Sequence, residues 1–137
     1  MKKTFVVFLL AVVAFSTVDA QKYITRNGTV SFFSTTPIED IKGTNNQVTS
    51  LLDTQGGGIV FMALMKGFQF DKALMQEHFN EKYVESEKYP KAQFKGSIEN
   101  FEEIDFTKDG TYDITVSGPL TLHGETNVVT TEGSLVI

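Results

Sequence analysis

A chain of 137 residues is long enough for one packed domain and short for two. It contains no cysteine, so disulfides, a cysteine-borne lipid anchor and a thiolate metal site are all excluded, and the core alone must hold the fold. The formal net charge is −5 with both signs interspersed, which argues against nucleic-acid binding and against adsorption to an anionic membrane surface.

The N-terminus reads as an export signal. Lys2 and Lys3 precede an apolar run from Phe5 to Phe15, and Val18-Asp19-Ala20 offers a cleavage site after Ala20. The run is about eleven residues, whereas a membrane-spanning helix needs about twenty, so cleavage is expected and an integral membrane protein is not. Residues 1–20 are therefore assigned as signal peptide and 21–137 as a single domain in the periplasm or outside the cell.

Beyond that point most of the chain alternates with period two and is rich in Val, Ile, Thr, Phe and Tyr, which predicts strands. The first spans Tyr23 to Thr35 and stops at Pro37, which has no ladder hydrogen to give. A second runs from Ile38 to Leu52; its Thr44-Asn45-Asn46-Gln47 stretch offers no apolar face, so its register is weakly specified. Gly56-Gly57-Gly58 is a turn. Ile59 to Met65 is apolar at every position, which predicts a strand covered on both faces, one toward a lumen and the other beneath a helix or loop.

The only helical stretch follows, with Asp71 as N-cap and Lys72 to Tyr83 as its body. Leu74, Met75, His78 and Phe79 form its apolar stripe. Alternation then resumes. Ala92, Phe94, Gly96 and Ile98 share one face; after a tight hairpin signal at Lys108-Asp109-Gly110, so do Tyr112, Ile114, Val116, Leu120 and Leu122. His123-Gly124-Glu125 is a further turn, and Asn127 opens a last strand that ends in mid-pattern at Leu135-Val136-Ile137, leaving an apolar edge. That edge predicts a C-terminally incomplete domain. The fold class is all-β with one helix.

These residues carry a resemblance. Leu74 to Asn80, Tyr83 to Ser86 and Tyr89 to Gly96 together resemble the YceI-like lipid-binding family, in the branch found in Bacteroidetes. Gly118-Pro119-Leu120-Thr121-Leu122-His123-Gly124 is similar to its signature of Gly, Leu-Thr, an apolar residue and His-Gly, and Asn27 to Ser34 resembles its opening strand. The resemblance covers Tyr23 to Ile137. It implies a lipocalin-like, eight-stranded antiparallel barrel with a helix against it and an apolar lumen holding a polyisoprenoid or similar amphiphile in the periplasm. Family members continue past the strand that begins near Asn127, so the strands that close the barrel are expected to be missing here.

The residues admit three functional classes. The Phe-rich inventory, with two methionines in Ile59–Met65, suits an adaptable lipid-fitting wall, although the same residues could simply be core between barrel and helix. An enzyme would rest on His78, near Glu77 or Glu81, and on His123, beside Glu125; no HExxH, phosphate-loop or nucleophile-elbow pattern supports either. His78 lies on the apolar stripe, as a core histidine does, and His123 has the parity opposite to Leu120 and Leu122, as a turn residue does. An interaction protein would use the edge at Leu135–Ile137 to accept a partner's strand. The expected function is a non-catalytic lipid carrier with no cofactor and no metal. Its lumen residues are expected to be Phe32, Val60, Met62, Leu64, Phe94, Ile98, Ile114 and Val116.

Overall fold

The computed structural model describes residues 22–35, 37 and 40–137. The export signal assigned to residues 1–20 and the start of the expected second strand at Ile38 lie outside the described residues. Six strands form one antiparallel sheet in simple sequence order: β1 (Lys22–Thr35), β2 (Asp40–Asp53), β3 (Gly58–Leu64), β4 (Lys91–Ile98), β5 (Thr111–Leu122) and β6 (Glu125–Val136). The sheet curls into a half-barrel, with β1 and β6 as its two edges among the described residues.

Alternation sets the concave face. Phe61 pairs with Phe94 and Phe94 with Leu120, so the apolar parities of β3, β4 and β5 coincide. Ile59, Phe61 and Ala63 are therefore concave, whereas Val60, Met62 and Leu64, expected in the lumen, stand on the convex face. Among the described residues no helix covers them there. Val60 and Met62 are half-buried beside the long side chains of Lys95 and Gln93, their register partners, and Leu64 is 56% exposed.

The helix is shorter than expected and placed differently. The segment α1 (Ala73–His78) passes into a π-turn over Phe79–Tyr83, and its N-cap is Lys72, not Asp71. Of the expected stripe only Phe79 is buried; Leu74 is 62% exposed, because a six-residue helix followed by a π-turn does not hold one face against the sheet for long. Phe79 reaches the concave side, packing with Val48, Ala63, Met65 and Phe68, so the segment from Met65 to Val84 plugs one end of the half-barrel. The other end is closed by residues 99–110, in which Phe101 and Ile104 pack on Ile59, Ile98, Ile114 and Val116. This connection contains a 3-10 turn at Phe101–Glu103, so Lys108-Asp109-Gly110 ends a long crossing and does not form a tight hairpin.

Two asparagines tie these plugs to the sheet. The β2–β3 ladder covers only Thr49–Leu52 against Ile59–Met62; beyond it β2 splays away, after register shifts against β1 around Gly28. In the gap Asn45, 1% exposed, donates through Nδ2 to the Leu64 carbonyl at 2.9 Å and accepts from the Gln47 amide at 2.9 Å. Thr44 and Gln69 exchange backbone bonds at 3.0 and 2.8 Å beside it. At the other end Asn100 donates to the Asp113 carbonyl at 2.8 Å and accepts from the Thr115 amide at 3.0 Å. Asn45→Ala removes both bonds from a side chain that is itself buried, leaving a part-buried carbonyl and amide without their partner, and is expected to cost about 1–3 kcal/mol. A denaturant midpoint within experimental error of the parent would show that Asn45 does not hold the splayed strand.

Candidate functional site: an apolar hollow in the concave face

The hollow is built from alternate residues of all six strands. Near the α1 end, Val30 and Phe32 of β1, Val48 of β2, Phe61 and Ala63 of β3, and Ala92 and Phe94 of β4 surround a chamber of about 380 Å³, roofed by Phe68, Phe79 and Val84. Phe32, Phe68 and Phe79 of this lining join Phe70 behind it in a cluster with contacting ring centroids 4.9–5.9 Å apart, a wholly apolar wall. Toward the other end, Leu52, Ile59, Ile114 and Val116 line a second chamber of about 560 Å³, bordered on β6 by Val129, Thr131 and Leu135. Both chambers are of the size of small-molecule sites.

The lining is uncharged. Among the described residues bordering the two chambers, Glu132 alone carries a charge, and its parity, opposite to Thr131 and Gly133, turns its side chain to the convex face. Gln93, bordering the first chamber, likewise alternates away from Phe94. A small or hydroxyl residue appears at Ser50 and Thr131. An anion placed deep in either chamber would lose its hydration without gaining a partner.

The expected lumen residues thus divide. Phe32 and Phe94 line the first chamber, and Phe94, Ile114 and Val116 the second. Ile98, 4% exposed, is packed behind the second chamber with Ile59 and Val116. Val60, Met62 and Leu64 are on the far side of the sheet, and their neighbours Ile59, Phe61 and Ala63 take their place. Sequence reasoning missed Val48, Phe68 and Phe79, which wall the first chamber, and Phe101 and Ile104, which pack on the core behind the second; isolated large apolar residues in the connections, at Phe68, Phe79, Phe101 and Ile104, were the available signal.

The charged chemistry lies elsewhere. The carboxyls of Asp53, Glu87 and Asp105 are held below the usual carboxylate range. At Asp53 the cause is the Gln55 and Gly56 amides, at Glu87 the Lys66 ammonium at 2.6 Å, and at Asp105 the hydroxyl and amide of Thr107. All three are on the outer surface and none borders the hollow. His78 is half-buried on α1, and His123 occupies the β5–β6 turn. There His123 (φ 54°) and Gly124 (φ 73°) make the left-handed two-residue turn that matches strand twist. The His123 ring stacks edge-on against Tyr89 at 4.9 Å, with Nε2 3.3 Å from Glu85. The structure does not bring the two histidines together, and no group of three or more His, Asp or Glu able to hold a metal occurs among the described residues. No described helix is long and apolar enough to cross a membrane.

A solved structure shares this architecture. A polyisoprenoid-binding domain from Saccharophagus degradans, implicated in plant cell wall breakdown, superposes with a TM-score of 0.68 at 12% identity, over 83% of this chain and 66% of that one. A mutant CJ YCEI protein with a monobromobimane guest aligns with a TM-score of 0.47 at 12% identity, over 80% of this chain and 53% of that one. The chain therefore spans less than two thirds of the length of either protein. Among curated proteins none matches the sequence. The model of the YceI-like domain matches residues 16–136, nearly the whole length, and the chain belongs to that family.

Proposed function

We propose that this protein is a non-catalytic carrier that holds a polyisoprenoid, or a similar amphiphilic lipid, in the concave hollow of its half-barrel. The observation that carries the reading is the pair of uncharged chambers, which alternate side chains line without filling. Membership of the YceI-like family, and the polyisoprenoid-binding domain that shares the fold, support it.

The energetics need no polar contact. Each buried CH₂ contributes about 0.8 kcal/mol, so one five-carbon prenyl unit is worth roughly 3–4 kcal/mol gross. A few units offset an association cost of about 4–15 kcal/mol. With no inward charge to meet, the preferred headgroup is neutral, and a phosphate stays in solvent at the rim. The purified chain, mixed with farnesol or geranylgeraniol, is expected to show a stoichiometric adduct by native mass spectrometry. The corresponding phosphates should bind no more tightly. Absence of any prenyl adduct, or tighter binding of the phosphates, would contradict the reading.

The carrier works outside the cytoplasm in this proposal. Its support is the sequence itself: Lys2 and Lys3, the apolar run to Phe15 and the small-residue site ending at Ala20. Expressed in a Gram-negative host, the chain is expected in the periplasmic fraction with Gln21 as its first residue. Cytoplasmic protein that retains Met1–Ala20 would refute export.

A further inference from the structure

The two chambers are separated by a row of side chains that crosses the sheet. Register places Ser50, Phe61, Phe94 and Leu120 side by side on β2, β3, β4 and β5, all on the concave face. Phe61, Phe94 and Leu120 border both chambers, one on each side of the row. At its centre the Phe61 and Phe94 rings stack, 6.2 Å between centroids and 27° between planes.

The backbone gives the Phe94 ring its place. Its ring lies along its own strand over Gly96, where an added Cβ would come within 2.6 Å of Phe94 Cζ. Across the ladder Gly118 faces Gly96 so closely that a Cβ there would approach the Gly96 Cα to 2.4 Å. The two glycines thus let β4 and β5 approach closely beneath the ring, and a side chain at either would displace it or the strands. Phe61, 37% exposed, closes the row from the other side and is its less confined member. Toward β2 the row drops to the small Ser50.

We infer that the Phe61–Phe94 stack is a sill that divides the bound chain into two sections and so determines which chain lengths the protein favours. The inference rests on the proposed lipid-binding function and names the specificity residues within it. A short prenyl chain occupies one chamber. A longer one reaches the second only by laying a segment over the sill, where it contacts ring faces on one side and gains less burial than within either chamber. Affinity then rises with chain length in two stages separated by a plateau.

The test is a titration of neutral prenyl alcohols of increasing length against the full chain and its Phe61→Ala variant, with circular dichroism confirming the fold. Within a chamber each added unit is expected to tighten binding by about tenfold or more. In the parent, the unit that must cross the sill adds less than about threefold, and the rise then resumes. In Phe61→Ala the plateau disappears and long chains gain relative to short ones. Phe61→Leu, which keeps an apolar side chain but removes the ring, serves if the alanine variant does not fold, and is expected to shorten the plateau. Ser50→Phe raises the low end of the row and should weaken long chains while leaving short ones bound. A smooth length series in the parent, or a plateau unchanged in the Phe61 variants, overturns the sill and leaves lipid binding intact. Failure of the parent to bind any prenyl alcohol overturns both.

Discussion

Wherever a strand leaves its ladder inside a protein, its amides and carbonyls still need partners. In this half-barrel two asparagines supply them. Asn45 bridges the splayed part of β2 to the end of β3, and Asn100 ties the β4–β5 connection to β5. The sheet can open at these places because the lost ladder bonds are replaced. The space so gained at the first is occupied by Phe68 and Phe79, and at the second by Phe101 and Ile104. Both ends are thereby plugged with apolar side chains, while the concave face between them is left unfilled on either side of the Phe61–Phe94 row. The hollow follows from that arrangement: a single curled sheet has no opposite sheet to interdigitate with, so its inward residues meet the plugs only at the ends.

An apolar surface left open in this way has a cost in water. Lipid supplies the missing contacts in the proposed function. The chambers' uncharged lining suits that role and makes a poor site for acid–base or electrophilic chemistry, which needs titratable or hydrogen-bonding groups aimed at a reacting atom. The perturbed carboxylates sit in turns and a surface ion pair, where they stabilise local backbone geometry.

How much of this the sequence disclosed depended on contrast between neighbouring residues. On β4 and β5 apolar and polar residues alternate, so the inward set from Ala92 to Ile98 and from Tyr112 to Leu122 could be read directly, whereas the long connection between them, expected as a tight hairpin, could not. On β3 the alternation is absent. Val60, Met62 and Leu64 are as apolar as Ile59, Phe61 and Ala63, and only the pairing of Phe61 with Phe94 decides which set faces inward. Polar character misled in the opposite direction at Asn45, whose stretch looked like an unspecified strand and holds one of the most buried side chains in the described structure. The helix was placed by composition, but its π-turn and its docking by Phe79 alone are tertiary outcomes that propensity does not encode.

The central claim is that the ligand lies against the concave residues of this sheet. Isotope-filtered NOE spectroscopy on methyl-labelled protein with unlabelled geranylgeraniol tests it most directly. Cross-peaks are predicted from the prenyl methyls to Val48, Ala63, Ile114 and Val116. Cross-peaks confined to Val60, Leu64 and Val128 on the outer surface, with none to the concave methyls, would contradict the account.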